Sequence, residues 1–283
     1  MNNNRPKIGY RKRLIQNLIY FAGLIFSDNL FVPRAIVVAI AGYLLISIAG
    51  IYLSHVVFEG KAKSSGSSDN AFSWRIFLRA PTLALIVVFL LFAIPFGKTF
   101  FFTFLVYIPL IIIQEMLFRR LVILDVIGVS VEFVFKVILG TLAINVTTSP
   151  WLLICTFLAS AMIALGQRRN ELNLQEIVAN QTSSLYVLKE YSPTLLDQMI
   201  SVVSSSTLLA YSLYTISERT VEHLGTEALI YTVPVVLYGI LRFLYLIYRG
   251  DLSRGIEVVI FKDKPLVTCV VTWILMVGLI VYL

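Results

Sequence analysis

Apolar and polar positions alternate along this chain in long blocks. Runs of mostly apolar residues lie near 14–27, 34–57, 77–96, 99–117, 121–142, 150–166, 195–216, 226–247 and 265–283, with polar or charged stretches between them. A membrane-spanning helix needs about 20 mostly apolar residues. The pattern therefore predicts an all-α membrane protein with about nine transmembrane helices, the first of them short. A β-barrel would instead show segments of roughly ten residues alternating apolar and polar, and no such alternation is visible.

Composition agrees. The 283 residues are 58% hydrophobic and 14% charged, with a mean hydropathy of +0.87, far too apolar for a soluble domain of this length. The start, "MNNNRPKIGYRKR", is basic but is not followed by the small-residue cleavage site of a secretory signal, so residues 1–13 read as a basic tail of the mature chain. Cys155 and Cys269 both fall inside apolar runs and suggest packing, not a disulfide framework or metal cage.

Charge changes the picture by giving it an orientation. Of the 23 Lys and Arg residues, Arg34, Lys98 and Arg219 fall on one side of the nine-helix arrangement, and Lys136 and Arg242 lie inside helices. The others share the side of the tail, which the positive-inside rule makes cytoplasmic in the plasma (inner) membrane. The net charge of +7 is then mostly a topology signal, although such a face also attracts anionic headgroups. No soluble basic domain is present to hold nucleic acid. The longer loops, 58–76, 167–194 and 248–264, all fall on the cytoplasmic side, where function is expected.

Three stretches, "SPWLLICTFLASAMIALGQRRNEL" (149–172), "LKEYSPTLLDQMISVVSSSTLLAYSLYTIS" (188–217) and "YGILRFLYLIYRGDLSRGIEVVIFKDKPL" (238–266), resemble the UbiA superfamily of intramembrane prenyltransferases, most of all its decaprenyl-phosphate phosphoribosyltransferase branch. The resemblance implies a single domain over 1–283, a UbiA-type bundle around a lipid-open cavity with a cytoplasmic polar cap. It also implies phosphoribosyl transfer to a polyprenyl phosphate with loss of pyrophosphate. The charge on that leaving group must be neutralised, by Mg²⁺ on carboxylates and by Arg or Lys.

The family's first acidic motif, Asn-Asp-x-x-Asp-x-x-x-Asp, aligns with Ser54, His55, Phe58 and Ala62, and retains no carboxylate; "SSGSSDNAF" after it reads as a linker. His55 and Glu59 stand four apart and would share one helical face, so both are metal candidates, against His55 as a simple interfacial cap. Where the family carries Tyr-Ser and then Lys, this chain has Gln114, Glu115 and Arg119; Glu115 joins the metal candidates, and Arg119 keeps a cation. "GQRRNEL" replaces Gly-Lys-Arg-x-x-Glu-Leu. Arg168, Arg169 and Glu171 are the remaining donor-site candidates, with ordinary membrane anchoring as the competing reading of the arginines. The second acidic site, Asp-x-x-x-Asp, is reduced to Asp197 and Ser201, and Ser192 with Pro193 also reads as a helix start.

Asp125, Glu132 and Lys136 share one stripe of the fifth predicted helix, and Glu132 to Lys136 is the favourable order for a helical ion pair. Intramembrane charges are functional candidates by default, but pairing is how most of them survive. Arg242 can snorkel or meet a lipid phosphate. Proton- or ion-coupled transport would call for internal repeats and broken helices, which are not evident, and nothing argues specifically for a pigment or quinone.

Two functions stay open. One is a catalytically silent subunit that binds polyprenyl lipid or a membrane protein complex. The other is an active transferase that moves a phosphoribosyl or prenyl group on a polyprenyl (phosphate) substrate with a rebuilt donor site, Mg²⁺ being required only there. No catalytic residue is assigned.

Overall fold

The computed structural model describes residue 91 and residues 93–118, 121–146, 148–177, 190–249 and 262–282, together with isolated positions between 40 and 48. The predicted helices near 14–27, 34–57 and 77–96 lie wholly or mostly outside the described residues, as do the tail 1–13 and the loop 58–76. Every described element is helical. We number the α-helices α1 (Lys98–Met116), α2 (Leu124–Ala143), α3 (Pro150–Ile177), α4 (Pro193–Ile216), α5 (Glu218–Leu224), α6 (Val233–Arg249) and α7 (Lys264–Tyr282). Short 3₁₀ segments, Ile94–Phe96 and Ala228–Thr232, precede α1 and α6.

Four stretches are long and apolar enough to cross a membrane: Leu124–Ala143, Pro150–Asn173, Pro193–Ile216 and Ala228–Arg249. Two shorter apolar helices, Lys98–Gln114 and Lys264–Ile280, accompany them. This is an integral membrane protein. Large apolar side chains such as Val202, Leu209, Leu241 and Leu275 are well exposed, as lipid-facing positions require.

The chain divides into two compact units, Met1–Thr148 and Ser149–Leu283. In the first, α1 packs on α2 around Phe100, Phe104, Tyr107, Ile111 and Leu139. The rings of Phe96, Phe100, Phe104 and Tyr107 continue one another along α1. Pro109 sits inside α1, where it removes one helical donor. Closeness of packing is decided at Gly128 of α2, where an added Cβ would come within 2.7 Å of the Phe118 ring. Entry to α2 is strained, because the β-branched Ile123 takes φ 69°.

In the second unit α3 and α4 form the most extensive helix pair, and they run antiparallel, since Arg169 late in α3 meets Asp197 early in α4. A further cluster of Met162, Ile240, Phe243 and Ile247 joins α3 to α6, with Val203 and Leu208 of α4 packed against it. Ser192 caps α4 by accepting the Leu195 N–H at 3.1 Å, and Pro193 supplies the first turn, as its sequence suggested. Gly225 closes α5 at φ 67°, a left-handed position that suits a residue without Cβ.

Two boundaries differ from expectation. The helix expected to end at 166 continues to Ile177, so the first part of the supposed loop 167–194 is helical. Arg, Gln, Glu and Leu at 167–177 continue it because unbranched or γ-branched long side chains are good helix formers, outweighing Asn170 and Asn173, and loss of hydrophobicity marks the end of a membrane span, not of a helix. The segment expected at 226–247 opens instead as a 3₁₀ turn, and α6 reaches Arg249.

Candidate functional site

The polar end of α3 carries the residues that the family pattern singles out. Because this end is helical, Arg168 and Glu171 are one turn apart. The Arg168 Nη1 donates to Glu171 Oε2 at 2.7 Å, and the Arg168 side chain is almost wholly buried. Arg169 points another way: its Nε donates to Asp197 Oδ1 of α4 at 2.8 Å, and its Nη1 bonds Asn173 Oδ1. The Arg169 and Asp197 side chains are 16% and 33% exposed. Tyr248 of α6 lies beside the same Asp197 carboxylate, so three helices meet there.

Asp197 therefore lies past the first turn of α4, and its carboxylate faces a guanidinium of the neighbouring helix, not the free N–H groups of its own. Ser201, which occupies the second position of that family motif, turns its hydroxyl onto the Asp197 carbonyl at 2.9 Å. Gln167 and Asn170 are also buried at this end of α3. Neither they nor Asn173 and Tyr248 were singled out as candidates. The i, i+4 spacing of Arg169 and Asn173 was a usable signal, and the long-range approach of Tyr248 had none.

The first unit holds the second group. Lys136, 2% exposed, bonds Glu132 at 2.9 Å, and its ammonium lies 5.0 Å from the centre of the Phe133 ring. Gln114 of α1 reaches across. With its amide oriented so that both ends are satisfied, it donates to Glu132 Oε2 at 2.9 Å and to the Gly128 carbonyl at 3.2 Å. Asp125 is buried in the first turn of α2, where a carboxylate opposes the helix dipole favourably.

At the α6–α7 boundary Arg242 makes a forked pair with Asp263, Nε to Oδ1 at 3.0 Å and Nη2 to Oδ2 at 2.7 Å. Asp263 Oδ1 also accepts the Leu266 N–H at 2.9 Å and so caps α7. The hydrogen bond from Arg242 holds the Asp263 carboxyl below its ordinary value; the Leu266 N–H and the charges of Arg242 and Arg249 add to this against desolvation. Asp263 was not singled out either, although an acid followed by Lys and Pro ahead of an apolar run is a helix-start signal.

Other candidates cannot be placed. His55, Glu59 and Arg119 lie outside the described residues, and of Glu115 only the backbone is described, in the last turn of α1. Among the described residues there is no group of three His, Cys, Asp or Glu side chains close enough to share a metal ion.

No family model matches the chain. The decaprenyl-phosphate phosphoribosyltransferase of Mycolicibacterium smegmatis is 26% identical to it over 168 residues, 56% of this chain and 51% of that protein. The protein of the same description from Corynebacterium glutamicum is 25% identical over 167 residues, 58% of this chain and 49% of that one. The chain thus spans about half the length of the curated relatives it matches. A UbiA homolog from Archaeoglobus fulgidus, solved with bound Cd²⁺, superposes with a TM-score of 0.63 at 11% identity, covering 97% of this chain and 98% of that one. A second structure of a UbiA homolog from the same organism gives 0.60 at 12% identity, covering 98% and 97%. Fold and sequence similarity point the same way: the chain is a membrane protein with the fold of UbiA homologs, and over about half its length it is similar in sequence to decaprenyl-phosphate phosphoribosyltransferases.

Proposed function

We propose that this protein is a catalytically silent UbiA-type subunit that binds polyprenyl lipid, alone or in a membrane protein complex, with its amino terminus on the cytoplasmic side of the plasma (inner) membrane. One observation carries the reading. The cations and acids that a donor site would direct at a metal pyrophosphate are bonded to one another, Arg168 to Glu171 and Arg169 to Asp197. Each of these guanidiniums spends a donor on a carboxylate, so its charge is already partly compensated before any phosphate arrives, and giving up that pair for a phosphate carries a cost.

The donor set also fits Mg²⁺ poorly. That ion prefers octahedral oxygen ligation, usually with a carboxylate or two beside substrate phosphates. Here Asp197 faces Arg169, and the Ser201 hydroxyl is turned to the helix backbone. The four aligned positions of the first acidic motif have no carboxylate at all. Metal-assisted neutralisation of a leaving pyrophosphate is worth several kcal/mol, so losing it should leave little turnover.

The sequence similarity to phosphoribosyltransferases supports a second reading, an active transferase with its donor held by Arg119, Arg168 and Arg169. A single experiment separates the two. Purified protein is given polyprenyl phosphate and labelled phosphoribosyl pyrophosphate, with Mg²⁺ and then with chelator. Retained lipid without labelled product supports the silent subunit. Labelled product refutes it, and if Arg168→Ala then abolishes that product in a folded protein, the donor site is located.

A further inference from the structure

The Arg242–Asp263 pair has no part in the function proposed above, yet it fixes a cation beside exposed apolar side chains of α6 and α7. On α6, Tyr238, Arg242, Tyr245 and Arg249 follow one another at spacings of four, three and four, which places them on one helical stripe. Tyr238 and Tyr245 are about half exposed, as is Leu241 between them. The Arg242 guanidinium lies 4.9 Å from the centre of the Tyr245 ring, so it is fixed on one side by an aromatic face and on another by Asp263. Those two bonds use two of its five N–H donors. Three remain for another acceptor.

The surroundings add positive charge. Arg249, Lys262 and Lys264 are all exposed. Arg249 is near enough to act on Asp263, and the two lysines flank Asp263 directly. Among the described residues at this boundary, Arg242, Arg249, Lys262 and Lys264 accompany one carboxylate, Asp263, and it is already spent on Arg242 and the α7 cap. Along α6, Arg242 lies roughly 10 Å below Arg249, a depth that a snorkelling arginine bridges between acyl chains and headgroups. Exposed Val267, Val270 and Val271 on α7, with Leu237 and Leu241 on α6, offer the apolar surface that acyl chains need.

We propose that this α6–α7 surface is a binding site for the phosphodiester headgroup of an anionic phospholipid, with Arg242 as the fixed fork and Arg249, Lys262 and Lys264 as the surrounding field. Phosphate oxygens suit a guanidinium whose geometry is already set. Tyrosines at this depth suit the boundary between chains and headgroups. A neutral headgroup would leave the surplus cations uncompensated, so the site discriminates by net lipid charge.

The test uses the full-length protein in nanodiscs of phosphatidylcholine with and without phosphatidylglycerol, read by retained lipid in native mass spectrometry and by thermal unfolding. Phosphatidylglycerol is expected to be retained and to raise the unfolding temperature; equal behaviour in both membranes overturns the proposal. Each interfacial lysine should contribute about fivefold, so K262Q/K264Q should weaken phosphatidylglycerol retention roughly 30-fold. These exposed lysines can change without leaving a buried charge, unlike Arg242. The K98Q/R219Q control removes the same charge elsewhere on the exposed surface and should leave retention intact. If the control loses as much as the lysine pair, generic charge is responsible and the site is refuted. Inorganic phosphate should fail to displace the lipid; displacement would make free phosphate the ligand and overturn the lipid assignment.

Discussion

The bond between Arg169 and Asp197 should be an energetic latch between α3 and α4, and a double-mutant cycle measures it. The perturbations are R169Q, D197N and the two combined. With charge centres about 4 Å apart and an effective dielectric near 20, the gross attraction is about 4 kcal/mol. Side chains 16% and 33% exposed are only partly desolvated, and ordering them offsets much of that attraction. A net coupling of about 1–2 kcal/mol remains, above the 0.2–1 kcal/mol typical of fully exposed pairs. Each single variant should lower the unfolding temperature in detergent by a few degrees, at about 2–4 °C per kcal/mol for a chain of this size. The double variant should lose distinctly less than the sum. Additivity within about 0.5 kcal/mol would refute the latch. D197N with unchanged stability but altered transfer activity would refute it as well, since that pattern belongs to a carboxylate used in chemistry.

Three further outcomes follow from the other polar groups. E132Q removes the carboxylate that bonds the buried Lys136 and should lower stability by about 1–3 kcal/mol; thermal unfolding measures it, and an unchanged melting temperature would show that this pair does not hold α2. Ser204 Oγ is buried and has no hydrogen-bond partner among the described residues, so S204A should leave stability unchanged or raise it by about 1 kcal/mol, and a clear loss in the same melt would show that the hydroxyl is used. Asp263 has a depressed carboxyl, so the stability it contributes is present above its ordinary value of 3.8 and is lost as pH falls through the lower folded value. Wild type should therefore lose more unfolding temperature than D263N on acidification, and parallel pH curves would refute the assignment.

Legibility in the sequence followed the kind of physics involved. Hydrophobic length alone located the spans at 121–142, 150–166, 195–216 and 226–247 within a few residues at most ends, because desolvating a backbone in lipid allows only a continuous helix. The polar end of α3 was missed for the same reason. Hydropathy reports where a helix leaves the apolar layer and is silent on how far it continues, so Arg168, Arg169 and Glu171 were assigned to a loop. The Glu132–Lys136 spacing was readable because both partners share one helix. Pairs joining different helices, Arg169 with Asp197 and Arg242 with Asp263, depend on which helices pack together, and no local pattern carries that. The first acidic motif is a different case. The positions that align with it, Ser54, His55, Phe58 and Ala62, carry no carboxylate and lie outside the described residues.

The pairings bear on how the described helices hold their buried cations. In a site built for pyrophosphate, clustered arginines are compensated by the substrate and its metal, and would repel one another without them. Arg168, Arg169, Lys136 and Arg242 each meet a carboxylate of the same unit. Two of the four partners, Glu171 and Glu132, lie one turn away on the same helix; the other two, Asp197 and Asp263, bring a second helix into place. On the silent-subunit reading, cations compensated internally within each unit would let the chain fold without a bound donor. That arrangement predicts a fold indifferent to phosphoribosyl pyrophosphate. Unfolding temperature should be the same with and without it, and a rise of several degrees would mean that one of these pairs opens to receive a phosphate after all.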